Sequence, residues 1–366
     1  MDVAASAPLP SSNFPFRRLS LLERLAFWLS WLLLCIPLFP VVIANPVLRL
    51  RKARAAARDP ERKGASITAL IVLHSRARMD ALGMRPDRGA VALHAVGPMS
   101  SPMLQMLDKL TRAHMRAAIY VSCLAGGRSE PDTRVNYTKV HETVFARLKF
   151  FDAVLEYMRP VGQLVVMGAG YDTRAINNAC GGATIVFEVD RPETQAHKLA
   201  AIKRAGVANS VTTKYVECNF NEEVGCFFLA GRGYVYLTCN SVKKTQSPWD
   251  KLERAGFDRT KPFAVTWEGV SYYLPENVVV DFLVKAGEVM KGNRHACLML
   301  DYFFDFKREK LTTGMAGKAV KAIGEEWLSF YPQDFESYLR SKNVPLRVHD
   351  QINISRAGIV MLVPAA

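Results

Sequence analysis

Between residues 66 and 158, apolar positions recur every three or four residues; from residue 160 they gather into short runs separated by polar stretches. The first pattern is that of helices burying one face, and it predicts helices over 66–83, 102–124 and 139–158, with 126–132 as a loop. The second predicts strands at 163–167, 184–190, 211–217, 263–267 and 295–302, helices at 193–206 and 276–290, and closing strands within 352–363. Short apolar strands alternating with helices imply an α/β fold, a doubly wound and mostly parallel sheet, here behind a helical N-terminal cover. Residues 221–248 interrupt the alternation with two further apolar runs, 226–229 and 234–237.

A different pattern precedes all of this. Residues 25–48 contain no charge in 24 positions, enough to cross a hydrocarbon core of about 30 Å as a helix. Trp28 and Trp31 suit an interfacial belt, whereas Pro37 and Pro40 would kink the span, so a kinked helix and a shallow re-entrant hairpin both stay open. A buried apolar helix docked on the folded domain and an organelle transit peptide are the alternatives. Arg49, Arg51, Lys52, Arg54, Arg58, Arg62 and Lys63 follow the run, while Arg17, Arg18 and Arg24 precede it. That asymmetry predicts a membrane protein whose C-terminal bulk lies on the cytosolic side. The expected organisation is a tail (1–24), a transmembrane or membrane-associated segment (25–48), a basic linker (49–64) and one folded domain (65–366).

Composition sharpens this picture only in part. With 366 residues, 49% apolar and 22% charged, the chain is neither disordered nor fibrous. The net charge of +14 permits anionic partners, and the stretch 49–64 suits lipid headgroups. No aromatic residues interleave the basic positions, so nucleic acid is not an expected partner. The seven cysteines are scattered without Cys-x-x-Cys, and no His-Glu-x-x-His occurs, which predicts reduced thiols and no metal site. The pattern does not specify an oligomeric state.

The chemistry centres on Gly168-Ala169-Gly170, directly after a predicted strand. Such a turn lets backbone approach a nucleotide at the carboxyl edge of a doubly wound sheet. Glu188 and Asp190 close the next strand, 18 and 20 residues after Gly170, where a carboxylate can accept from both ribose hydroxyls. A dinucleotide fingerprint needs a third glycine at position 173, and Thr173 stands there. This disfavours NAD and FAD and fits a nucleotide without a pyrophosphate, such as S-adenosylmethionine (SAM). No phosphate-loop motif is present.

Four blocks, in order, resemble the leucine carboxyl methyltransferase family, most of all its bacterial branch: residues 146–152, 165–175, 187–192 with Lys198, and 255–258 leading into 267–275. The resemblance implies a Rossmann-like class I methyltransferase fold with SAM as cofactor. It implies that Arg147 pairs with the SAM carboxylate, that Gly168 and Gly170 form the turn under the methionine moiety, and that Asp190 holds the ribose. Asn219 and Phe220 occupy the place of the family's Asp-Leu pair beside adenine, with Asn in place of Asp. Glu268 would line the pocket where cofactor and acceptor meet. The segment 221–248 has no counterpart in the family pattern and is either a lid over the cofactor or non-coding sequence read through.

The expected activity is O-methylation of a carboxylate or hydroxyl on a small or lipid-like acceptor. A carboxylate needs mainly alignment, whereas a hydroxyl also needs a base, for which Glu268 and Tyr272 are the candidates. The alternative, motivated by Asn219 and the insertion, is a non-catalytic membrane-tethered interaction protein on a degraded methyltransferase fold. An NAD-dependent oxidoreductase ranks behind both.

Overall fold

The computed structural model describes residues 44–45, 47–49, 51–60, 65–81, 85–109, 139–220, 227–230, 233–236, 247–354 and 356–365. These fall into two units: a sheet unit (150–196 and 209–365) and a helical unit (44–149 and 197–208). Among the described residues no helix is long and apolar enough to cross a membrane, and the expected anchor lies outside them from 25 to 43. The predicted loop at 126–132 also lies outside the described residues.

The sheet unit is built on seven strands: β1 (Gln163–Met167), β2 (Ile185–Asp190), β3 (Thr212–Glu217), β6 (Phe263–Trp267), β7 (Ala296–Phe303), β8 (Leu346–Ile354) and β9 (Ala357–Pro364). The remaining pair, β4 (Phe227–Ala230) and β5 (Gly233–Tyr236), forms a separate antiparallel ribbon inside the segment 221–248. The main order is β3-β2-β1-β6-β7-β9-β8, parallel except that β9 runs against both neighbours. Every residue of β1, β6 and β7 is buried. Strands covered on both faces read as unbroken apolar runs, which is why the sequence announces them.

Register decides where the functional residues fall. Met167 pairs with Val189 on one side and with Trp267 on the other. The residues just beyond, Gly168, Asp190 and Glu268, therefore emerge together at the carboxyl edge. Chain order reverses between β1 and β6, so this edge is the topological switch point, where open α/β sheets bind ligands.

One large apolar cluster packs beneath that edge. The helix Glu276–Met290 contributes Val278, Val279, Phe282, Leu283, Ala286, Val289 and Met290, the repeat of three and four that its sequence shows. Trp267 lies against Phe282 with ring centres 4.0 Å apart, and Trp249 stacks on Phe282 at 5.7 Å. A second, smaller cluster joins Tyr272, Phe303, Leu311, Val320, Trp327 and Ala357.

The helical unit holds the helices Thr68–Ala81 and Arg88–Ala95 and most of Lys139–Tyr157. Asp87 caps the second of these by accepting from the Ala90 amide, and its carboxylate pairs with Arg76 at 2.8 Å and Arg85 at 2.6 Å. The basic stretch 49–64, expected to be a linker, is helical over 51–58 and buries Arg49, Ala53 and Ala56 along one side. Arg49 pairs with Asp108 and donates to the Met99 carbonyl at 3.0 Å. Cys180, Cys218 and Cys297 are buried, and burial pushes the Cys180 and Cys297 thiols up to about 12.

Candidate active site

The turn after β1 needs glycine at both ends. Gly168 and Gly170 adopt φ values of +66° and +48°, the left-handed region that costs other residues a steric penalty. A Cβ at position 168 would also collide with Val270 Cγ2, so the backbone there runs against the segment that follows β6. Hydrogen bonds fix the turn to β2: the Gly168 and Ala169 amides donate to the Val189 carbonyl at 2.8 and 3.0 Å.

Asp190 completes this link. Its carboxylate accepts from the Gly170 amide at 2.5 Å through one oxygen and from the Arg191 amide at 2.7 Å through the other. A carboxylate offers about four lone-pair sites, more than these two amides use. Two glycines that admit close approach, beside a buried acceptor at the end of the next strand, fit an adenosyl ligand without a pyrophosphate.

Across the switch point lies a charge cluster. Arg174 is fully buried, at the start of the short helix Arg174–Asn177. Its Nη1 donates to Asp172 Oδ2 at 2.5 Å and to Glu268 Oε2 at 3.0 Å, and its Nε lies 3.4 Å from Asp152 Oδ1. Asp172 also accepts from the Arg174 amide at 2.8 Å. The guanidinium thus ties the loop after β1 to the residue that ends β6, surrounded by three carboxylates that offset its burial. Next to Glu268, Gly269 takes φ +71° and donates to Asp301 Oδ1 at 2.7 Å. Asp301 is fully buried in the middle of β7, and its carbonyl accepts from Ser271 Oγ at 2.6 Å.

The structure brings Gly168, Gly170, Asp190 and Glu268 to one edge. Asn219 follows β3, half-buried, on that same edge. Phe220 is buried, its ring packed on Trp267 at 6.3 Å and edge-on to Phe282 at 6.1 Å, so it is a core residue as well as a candidate adenine neighbour. Tyr272 stacks on Phe303 at 4.2 Å inside the smaller aromatic cluster. Arg147 is buried on the helix Lys139–Tyr157 and belongs to the helical unit. Glu188 is buried within β2.

Sequence reasoning missed Arg174, Asp172, Asp152 and Asp301 as parts of the cluster. Two signals were present: an acid and a base two residues apart just past the glycine turn, and an acid inside the apolar run of β7. Among the described residues no group of acids, histidines and cysteines could hold a metal ion.

Comparison with known proteins identifies the family of the chain. The sequence pattern of the leucine carboxyl methyltransferases matches residues 94–235 and 237–286, over half of the chain. A Streptomyces coelicolor protein is 26% identical over 195 residues, 52% of this chain and 58% of its own. A Mycolicibacterium paratuberculosis protein is 29% identical over 180 residues, 48% of this chain and 50% of its own. Both carry the name "Putative S-adenosyl-L-methionine-dependent methyltransferase". The chain spans about half the length of the curated relatives it matches. Among solved structures, a DUF574 family protein from Streptomyces avermitilis superposes over 80% of this chain and 97% of its own, with 12% identity and a TM-score of 0.43. The glycine turn, the β2 acid and the block ending β6 all fall within the matched residues, and the chain belongs to the leucine carboxyl methyltransferase family.

Proposed function

We propose that the chain is a SAM-dependent O-methyltransferase acting on a carboxylate or hydroxyl of a small or lipid-like acceptor. The observation that carries this is the meeting of the Gly168–Gly170 turn, Asp190 and Glu268 at the switch point of the sheet. Bound SAM supplies an electrophilic methyl group on a sulfonium. The glycines admit its amino-acid end against backbone, Asp190 accepts from the ribose hydroxyls with its remaining lone pairs, and Asn219 offers its side-chain carbonyl near adenine. Glu268 Oε2 is engaged by Arg174 Nη1 at 3.0 Å, which leaves it poorly placed to take a proton from an acceptor. That favours an acceptor that arrives as an anion and needs orientation more than deprotonation, and orientation alone can supply roughly 7–11 kcal/mol. The apolar run at 25–48 and the basic residues after it support a membrane location with the catalytic domain on the cytosolic side, hence the lipid-like option.

Titration calorimetry of the full chain with SAM, beside Asp190→Ala, tests the proposal. Expected is micromolar binding that weakens by tenfold or more in the variant. A folded chain that does not bind SAM would turn the reading to the non-catalytic tethered protein.

A further inference from the structure

The helical stretch that leads out of the apolar run has two unlike sides. Asn45, Arg49, Ala53 and Ala56 are buried, spaced by three and four residues. They hold this stretch to the rest of the helical unit: Asn45 Nδ2 donates to Asp108 Oδ1 at 2.9 Å, Arg49 pairs with Asp108, and Lys52 Nζ donates to the Ser100 carbonyl at 3.1 Å. Ala44, Val47, Arg51, Arg54, Ala55 and Arg58 are exposed, also at three and four spacing, and so share the opposite side. Val47 is 48% exposed. Read along the helix, the exposed side passes from apolar (Ala44, Val47) to basic (Arg51, Arg54, Arg58). The apolar end is continuous in sequence with the uncharged run 25–43.

We infer that this side is a lipid contact, with Arg51, Arg54 and Arg58 against anionic headgroups and Val47 at the hydrocarbon boundary. The inference rests on the membrane reading above and adds which residues face the lipid. Three features support this occupant. Polarity changes along the helix in the order in which a bilayer changes from hydrocarbon to headgroup. The three guanidinium groups complement an anionic surface and project from a helix whose other side is fixed. Arg49, the first cation of the same basic stretch, is instead spent on Asp108, so charge counting alone would assign the wrong residues. A cation near an anionic leaflet strengthens binding about fivefold, so three together are worth roughly a hundredfold. A nucleic acid would want aromatic residues interleaved with the cations, and this side has none.

The test uses the full chain in one mixture with neutral phosphatidylcholine vesicles and vesicles containing phosphatidylserine, separated by density. The expected result is a strong partition to the anionic vesicles, on the order of a hundredfold. Arg51→Gln/Arg54→Gln/Arg58→Gln together should bring the split close to even, as should high salt, which shortens the screening length to about 3 Å at 1 M. Arg62→Gln/Lys63→Gln, cations of the same segment beyond this helix, should leave most of the preference in place. An even split for the unmodified chain, or a triple variant that keeps the preference, overturns the inference while leaving membrane association standing. A chain that floats with neither vesicle refutes the membrane reading itself. Capture by a short RNA through the same arginines, without vesicle preference, would make the side a nucleic-acid surface and would also overturn it.

Discussion

Gly168 shows how much one residue can decide at this edge. Its φ of +66° costs a non-glycine residue about 1–2 kcal/mol, and a Cβ would strike Val270 as well. Gly168→Ala should therefore lower the urea midpoint and weaken SAM binding. Adding Val270→Ala should restore part of both losses, because it removes the collision and leaves the backbone strain. Full restoration would mean that the turn tolerates a left-handed alanine and that the clash alone matters. Arg174 is the opposite case, a large charge that nothing smaller replaces. Arg174→Gln leaves Asp172, Glu268 and Asp152 facing one another, and breaking a buried pair in this way costs about 3–5 kcal/mol. Arg174→Lys keeps the charge but loses the fork whose Nη1 reaches Asp172 and Glu268 while Nε faces Asp152, so its urea midpoint should fall between wild type and Gln. Equal midpoints for Lys and Gln would show that geometry rather than charge holds the cluster. Gly168, Gly170 and Asp190 were legible in the sequence because their spacing is local to one strand–turn–strand unit. The Arg174–Glu268 pair was not, because its partners are 94 residues apart and meet only through the pairing of β1 with β6.

At the scale of elements, legibility followed burial. β1, β6 and the helix Glu276–Met290 sit where their apolar patterns predict, since a doubly covered strand and an amphipathic helix each print their environment directly. β8 begins at Leu346, six residues before the predicted closing strands. It is the outer strand, half-buried along most of its length and irregular between Val348 and Asp350, so no apolar run marks it. The short helices Arg308–Thr313, Met315–Ala322 and Phe335–Ser341 went unread for a similar reason, each too brief to show a period. The helix Arg88–Ala95 was also missed, yet it carries a measurable property of its unit. His94 Nε2 lies 3.3 Å from Arg49 Nη1 and 3.1 Å from His74 Nδ1. Arginine only donates, so Nε2 is the acceptor and the His94 proton sits on Nδ1. Burial first, and Arg49 second, lower the His94 pKa to about 4. Unfolded, this histidine titrates near 6.5, so between pH 6.5 and 4 the unfolded chain binds a proton that the folded chain refuses. Stability should therefore fall as pH drops through that window, by about 3 kcal/mol at most, and be flat in this respect above it. His94→Gln should remove that component from urea midpoints measured between pH 7 and 4. An unchanged slope would place the acid sensitivity elsewhere.

For the whole molecule, the sheet order explains why the site forms in one cooperative piece. Three strands, β2, β1 and the sequence-remote β6, deliver Asp190, the glycine turn and Glu268 to one edge, and the large core cluster lies beneath all three. A ligand held by that edge cannot bind a chain in which any one of these strands has left the sheet. Its binding energy should therefore appear as stability of the sheet unit as a whole, by about 2.7 kcal/mol when SAM is present at a hundred times its dissociation constant. For a unit of roughly 200 residues each kcal/mol moves the midpoint by about 2–4 °C, so saturating SAM should raise Tm by about 5–11 °C. The rise should follow the logarithm of SAM concentration and shrink in Asp190→Ala in proportion to its lost affinity. Differential scanning calorimetry of the full chain reads this directly in the transition of the sheet unit, whether or not the helical unit melts separately. If calorimetric titration shows tight SAM binding but that transition does not move, the cofactor is held by a segment that opens without unfolding the sheet. The proposed roles of Asp190 and of the turn would then have to be given up together, since both act only through the intact sheet edge.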